Sequence, residues 1–530
     1  MKKLLSRATK SLSVSGAATL LIATTLIGQV LGFLRLKFIN ANFSAVGDES
    51  TDAFFAAFKI PDFFFLTIAA GALGVAFIPF LSDRFAKGDR KGAWQLSSSL
   101  LNILAIVMGV VGLLMFIFAQ QLISYVVAPD LNPAQLENAV TIMRLIALNP
   151  LLFTISGILM SMQQTMGRFF FYAAAPLFYN VSIIISIFVF RDNIGIVGLG
   201  IGAFVGAVFQ LLIAVVGMFG TSFKYEPVIR WRNSNFRGVL RLLPARSVDQ
   251  GVNAINSIAE TNFARRLGEG FITYYENAFV LHTAPILLIG TTISTAAFPK
   301  LTSRLSQKRP DLFRRDFQRV LRAMIWIALP VIVVAYFSRG YLARLIFARD
   351  APEIALIFGF LCGAIFFRII YQIMSRYFYA NKDTFTPLVV SVFTIGFNIY
   401  LAYTLSRPDA YGVAGLALAQ TIAAGTQIII VTSIMFVRDK KIFAGEFLSN
   451  LMKIFSVTGF AIVAAYIMIT LLPLRSTETG FIALGSKLSA ITLVTFGVYI
   501  GMSLLFRLDE SQPIKRFIKR VILKPIRINW

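Results

Sequence analysis

Apolar residues in this chain fall in long runs separated by short polar connections, most of them basic. A helix that spans a bilayer needs about 20 apolar residues at 1.5 Å rise each. By that rule the pattern predicts about fourteen spans, near residues 15–40, 52–82, 93–127, 137–163, 170–190, 194–219, 236–264, 271–301, 318–346, 353–380, 386–405, 411–436, 447–473 and 481–506. The longest polar connection is about twenty residues, too short to enclose a core, so no soluble domain is expected. The predicted fold class is an all-α polytopic membrane protein.

The first half of this pattern recurs in the second about 215 residues later. Phe77–Ile78–Pro79–Phe80–Leu81–Ser82–Asp83–Arg84, preceded by Ala70–Gly71, matches Ala297–Phe298–Pro299–Lys300–Leu301–Thr302–Ser303–Arg304, preceded by Gly290. Pro176, Gly195–Ile196–Val197–Gly198–Leu199 and Gln210 return in order as Pro387, Gly412–Val413–Ala414–Gly415–Leu416 and Gln427. Six helices separate the copies. An even number gives both halves one orientation, a parallel repeat about an axis along the membrane normal. The expected organisation is an N-terminal six-helix lobe (residues 1–222) and a C-terminal six-helix lobe (223–440). Two appended C-terminal helices (441–508) and a basic tail (509–530) follow. Membrane proteins of two like halves are very often transporters, whose halves rock to open a central cavity to each side in turn.

Composition narrows the chemistry. Hydrophobic residues are 57% of the 530 and the mean hydropathy is +0.75. A single cysteine, Cys362, excludes an intramolecular disulfide, and there is no Cys/His metal spacing. The single histidine, His282, makes a His relay improbable. With no nucleophile–base pair, metal cluster or phosphate loop, neither an enzyme nor a cofactor is expected. The net charge of +25 is distributed on every second connection, at 84–91, 224–241 and 304–319, at Lys382, at 438–441 and in the tail at 515–527. That is the positive-inside alternation rather than a nucleic-acid surface, and it puts both termini in the cytoplasm. Arg265–Arg266 and Arg349 break the rule, falling on the outer side. The N-terminal apolar run from Ala17 contains Gln29, Arg35 and Lys37 and lacks a small-residue cleavage site, so it reads as a retained first span. The stretch Ile514–Ile522 is basic and amphipathic, suited to the anionic lipids of the inner leaflet; a solvated charged tail is the alternative.

A charge at bilayer depth costs at least about 2.5–3.5 kcal/mol and usually faces a cavity or a partner. Such residues concentrate in spans 1, 2, 7 and 8. In span 7, Pro244 is followed by Arg246, Asp249, Gln250, Asn253, Asn256, Ser257, Glu260 and Thr261, at steps of three and four that share one helical face. This stripe reads as the wall of a hydrated cavity, or as a polar seam between helices. Glu276 in span 8 is a candidate for the same cavity. Arg35, Asp52 and Lys59 sit in spans 1 and 2, with Lys59 two turns beyond Asp52 on the same face. Arg35 and Lys59 suit an anionic head group such as pyrophosphate, Arg bidentately and Lys as a point charge. The structural alternative is an Arg35–Asp52 ion pair that holds the first hairpin. Arg144 and Arg368 read as snorkelling or interhelical residues, and Asn398 and Thr421 as helix glue, with cation ligation the alternative.

The segments Val30–Leu31–Gly32–Phe33–Leu34–Arg35 and Thr51–Asp52–Ala53–Phe54–Phe55–Ala56–Ala57–Phe58–Lys59–Ile60–Pro61 resemble the opening hairpin of the MurJ/MviN family. These are lipid II flippases of the multidrug/oligosaccharidyl-lipid/polysaccharide exporter superfamily. Gly167–Arg168–Phe169–Phe170, Leu267–Gly268–Glu269–Gly270 and Tyr379–Ala380–Asn381–Lys382–Asp383–Thr384 extend the likeness along the chain. The resemblance implies a flippase of the bacterial cytoplasmic membrane for the undecaprenyl-pyrophosphate-linked peptidoglycan precursor, acting by alternating access. It implies a charged cavity lined by spans 1, 2, 7 and 8, with Arg35 and Asp52 at family positions. The lipid-linked precursor and the cell-wall synthesis machinery are the implied partners. Gln29, Phe64–Phe65–Leu66, Ala70 and Ala278–Phe279–Val280–Leu281 stand where the family carries charges. Those departures leave open an exporter of a polysaccharide lipid or a drug on the same fold, or a non-transporting cell-wall scaffold.

Overall fold

The computed structural model describes residues 14–70, 77–347, 349–443, 445–475, 478, 480–513 and 516. Apart from Arg516, the basic stretch 514–522 lies outside these residues. The described residues form helices and no strand. They divide into two compact units, Met1–Thr273 and Tyr274–Trp530.

Unit 1 contains α1 (Val14–Asn42), α2 (Thr51–Phe64), α3 (Ile78–Ala86), α4 (Arg90–Ile117), α5 (Pro133–Ile146), α6 (Asn149–Thr165), α7 (Phe169–Ile194), α8 (Val197–Met218) and α9 (Ser234–Arg266). At its end begins α10 (Phe271–Pro285), which runs on into unit 2. There follow α11 (Thr292–Ser306), α12 (Pro310–Phe337), α13 (Arg339–Phe347), α14 (Ala351–Ala380), α15 (Phe385–Leu405), α16 (Val413–Arg438), α17 (Gly445–Leu471) and α18 (Phe481–Leu505). Eleven described segments are long and apolar enough to cross a membrane. The expected spans 15–40, 52–82 and 236–264 are not among the eleven; the last carries the polar stripe.

Several expected spans are interrupted, two of them beside a proline. The span 137–163 breaks at Ala147–Leu148 because Pro150 stands in the first turn of α6, where its missing N–H costs nothing. The span 318–346 breaks at Ser338, between α12 and α13. The spans 52–82 and 271–301 each pass through a π-helical turn, Phe65–Ala70 and Ile286–Thr291. The second of these follows directly on Pro285, whose ring removes an intrahelical donor.

Within unit 1, α8 packs closely on α7, α6 and α5, and α1 packs on α7. The buried face of α8 is built from Gly198, Gly202, Ala203, Gly206, Ala207 and Ala214. Small residues let backbones approach, and dispersion rather than water exclusion then holds helices together in lipid. In unit 2, α16 packs on α14 and α15, while α17 and α18 pack on each other and on α12. Two of the residues expected to act between helices, Arg368 and Thr421, do so there. Arg368 donates to Gln420 Oε1 at 2.9 Å, and Thr421 donates to the Phe360 carbonyl at 2.6 Å. Cys362 is buried and free.

The sequence repeat appears as matching backbone corners. Gly195 (φ +66°, ψ −143°) precedes α8 and Gly412 (φ +55°, ψ −138°) precedes α16. Both take the left-handed conformation that glycine adopts without a Cβ penalty. The turn at Gly88 recurs at Lys308, that at Gly167 at Lys382, and that at Asp130 at Asp350, all with positive φ. The backbone bonds agree too. Arg168 N donates to Gln163 O in one unit, and Asp383 N to Phe378 O in the other, both at 2.9 Å.

These corners also yield a packing prediction. A methyl group on Gly415 would overlap the Leu405 carbonyl, which already accepts from Tyr411 N at 3.2 Å. One on Gly412 would meet no atom within 4 Å. Gly415→Ala is therefore expected to cost about 1–3 kcal/mol through overpacking, and Gly412→Ala only the backbone strain of about 1–2 kcal/mol. Thermal unfolding in detergent reads both losses, and a Gly415→Ala midpoint equal to the parent's would refute the overlap.

Candidate functional site

The predicted site residues of unit 1 lie on α1, α2 and α9. The spacing of Asp52 and Lys59 is realised as one face of α2 turned toward α9. Asp52 meets Arg265 at 3.5 Å, and Lys59 Nζ donates to Ser257 Oγ at 2.9 Å. On α9 itself Asn256 donates to Glu260 Oε1 at 2.9 Å, one turn apart, and both are buried. Asn253 is exposed. Arg246 and Asp249 are positions on α9 whose side chains lie outside the description. Glu276, half-buried on α10, belongs to unit 2.

Asp52 is the most completely satisfied of these groups. It is fully buried, near the start of α2, whose N-cap Ser50 accepts from the Asp52 amide at 3.0 Å. Its Oδ2 accepts from Gly270 N at 2.7 Å. Its Oδ1 accepts from Thr273 N at 2.8 Å and from Thr273 Oγ1 at 2.7 Å. Arg265, 5% exposed, supplies the counter-charge, and its Nη2 also donates to the Asp130 carbonyl at 2.8 Å. Charge-assisted bonds of this kind offset the cost of a buried carboxylate. The alternative pairing of Arg35 with Asp52 is not formed, because Arg265 and the 270–273 backbone fill that carboxylate. Arg265, one of the three arginines that break the positive-inside rule, is thus the buried partner of an acid. Other turns join at the same end: Gln135 donates to the Gly47 carbonyl at 2.8 Å, and Asn138 to the Asp48 carbonyl at 3.0 Å.

Arg35 is half-buried on α1, and its Nε has no hydrogen-bond partner. Its electrostatic neighbours are Tyr179 on α7 and Asp62 on α2. Those two residues line a narrow cleft of about 10 Å³ walled by Phe58, Phe65 and Phe153. Tyr179 and Asp62 were not among the predicted site residues. Asp62, three residues past Lys59 in a helix, was readable as another charge at depth. Tyr179 gave no signal, because a tyrosine in an apolar run looks like packing. In unit 2 His282 is 3% exposed, and neither ring nitrogen has a hydrogen-bond partner. Among the described residues no group of His, Cys, Asp and Glu could hold a metal ion.

A family model described as lipid II flippase MurJ matches residues 44–502. A probable lipid II flippase MurJ of Buchnera aphidicola subsp. Acyrthosiphon pisum is 25% identical over 496 residues, covering 92% of this chain and 95% of its own. The protein of the same description from Borreliella burgdorferi is 25% identical over 455 residues, covering 84% and 88%. Among solved structures, a lipid II flippase MurJ in an inward closed conformation superposes with a TM-score of 0.75 at 21% identity, over 92% of this chain and 99% of that one. An inward-facing multidrug resistance MATE family transporter of the MOP superfamily gives 0.68 at 16% identity, over 80% and 98%. An outward-facing one gives 0.59 at 16% identity, over 80% and 96%. The structures speak for the shared fold, and the match across residues 44–502 places the chain in the lipid II flippase MurJ family.

Proposed function

We propose that this chain moves lipid II, the polyprenyl-pyrophosphate-linked peptidoglycan precursor, from the inner to the outer leaflet of the bacterial cytoplasmic membrane. Both termini are in the cytoplasm, the lipid tail stays in the bilayer, and the head group crosses by alternating access. Inward- and outward-facing transporters of similar fold support that cycle. The observation that carries the reading is Arg35. It is an arginine at membrane depth, with an unpartnered Nε, beside the narrow aromatic-walled cleft that Tyr179 and Asp62 line, in a chain of this family. Arg35 and Lys59 supply the positive field for the pyrophosphate, while Arg246, Asp249, Asn253, Asn256 and Glu260 contact the sugar–peptide portion. Asp52 orients the turn that closes the site. The cell-wall synthesis machinery and anionic lipids are its partners. An exporter of a cationic substrate is the second reading, favoured by the buried Glu260 carboxylate on α9.

Purified protein in vesicles carrying labelled lipid II on one leaflet separates the two. Protein-dependent loss of the label's protection from a membrane-impermeant quencher is expected. Protection that stays intact, together with uptake of a cationic dye, would overturn the lipid reading.

A further inference from the structure

Unit 1 has a second cleft, far larger than the one near Arg35. It lies at the end of the unit where α4 and α7 begin and α8 ends, has a volume of about 480 Å³, and takes no part in the transport reading. Its lining includes Arg90, Arg168 and Ser222 on one side and Phe85, Trp94 and Met166 on the other, with no carboxylate. We propose that this cleft binds a phosphate-bearing anion, and that its apolar wall selects a phospholipid headgroup over inorganic phosphate.

The charge is uncompensated. Arg90 is exposed, and its side chain makes no hydrogen bond or ion pair with a described residue. The acids on the neighbouring connections are committed elsewhere: Asp83 to Lys87 at 2.8 Å, Asp89 to Arg84 at 2.5 Å and Glu226 to Arg230 at 2.7 Å. Arg168 is held in place rather than neutralised. Its Nη1 donates to the Phe219 carbonyl at 2.9 Å and its Nη2 to the Gly220 carbonyl at 3.2 Å. A guanidinium has five N–H donors, so three remain for a ligand. Arg168 is also the N-cap of α7, a helix of 26 residues with no side-chain cap, so free amides and the positive helix end add to the same field.

The matching corner of unit 2 is self-satisfied. Asp383 stands where unit 1 has Arg168, and it accepts from Arg438 Nη1 at 2.6 Å and from the Thr386 amide at 2.9 Å. Burial alone would raise the Asp383 carboxyl, but these donors outweigh it and hold the group at about 2. Arg314, at the position of Trp94, pairs with Asp439 at 2.6 Å. The repeat therefore shows what a closed corner looks like, and unit 1 departs from it by putting the Arg168 guanidinium in place of the Asp383 carboxylate and the Trp94 indole in place of Arg314. Trp94 sits edge-on to Phe85 at 5.2 Å and to Phe223 at 5.4 Å, a rigid apolar wall. Beside Arg168 and Gly220, Phe170 and Phe219 are 46% and 59% exposed, as residues facing acyl chains would be. A soluble anion has no use for that apolar margin.

Native mass spectrometry of the purified full-length protein tests this, with phosphatidylglycerol, phosphatidylcholine and inorganic phosphate as separate probes. Phosphatidylglycerol is expected to be retained over phosphatidylcholine, and Arg90→Gln to weaken that retention about tenfold, the worth of one charge-assisted bond. Arg90 has no side-chain partner to lose, so this variant keeps its fold, which a melting curve without lipid checks. Lys440→Gln, an exposed basic position in unit 2, should bind as the parent does. Equal retention by the parent and Arg90→Gln, or an equal loss in Lys440→Gln, overturns the site. Displacement of phosphatidylglycerol by inorganic phosphate at equal concentration overturns the lipid source. None of these outcomes depends on flipping.

Discussion

Asp52→Ala is expected to destabilise the protein by about 3–5 kcal/mol, the cost of stranding one member of a buried ion pair. Arg265 would keep its burial and lose its counter-charge, and the amides of Gly270 and Thr273 would lose their acceptor. Asp52→Asn keeps the shape but not the charge, so its loss should be smaller. Combining Asp52→Ala with Arg265→Met removes both charges, and the double variant should recover part of the single loss. Chemical unfolding in detergent, run as a double-mutant cycle, measures the coupling directly. Strictly additive losses would show that the two side chains do not act as a pair.

Arg35→Gln should behave in the opposite way, with a small change in stability and a large one in transport. The Nε of Arg35 has no hydrogen bond to lose, whereas its charge is the one offered beside the Tyr179–Asp62 cleft. In bacteria depleted of their own lipid II flippase, the parent chain is expected to restore lipid II to the outer leaflet. Arg35→Gln should lower that signal at least about tenfold at equal membrane abundance, since a charge-assisted bond to phosphate is worth roughly that much. Arg35→Lys keeps the charge without the bidentate fork and should fall between. Full activity of Arg35→Gln would remove Arg35 from the site.

The apolar runs and the repeated Gly195 and Gly412 corners were legible in the sequence, because lipid forces length and apolarity on a span and a corner of positive φ with ψ near −140° strongly favours glycine. The seven-residue step from Asp52 to Lys59 was also legible as one helical face. The partners were not. Asp52 finds Gly270 at a separation of 218 residues, and Lys59 finds Ser257 at 198. No local pattern encodes such pairings. The one available signal was negative: Arg265 violated the charge rule of its connection, and such a violation marks a residue held by something other than water. Arg246 and Asp249 were singled out by the same periodicity that found Asn256 and Glu260. Glu276 was grouped with them by span number, and it falls in unit 2.

The separation of Asp52 from its partners also sets a timetable for synthesis. Ribosomes add about 5–20 residues per second. The 218 residues between Asp52 and Gly270 therefore take about 10–40 s to make. During that interval the first hairpin is already at the membrane with a carboxylate that has neither counter-ion nor amide donors. The acid must wait at the interface, in water, until the α9–α10 turn emerges. Unit 1 can lock only when its last residue, Thr273, has been made.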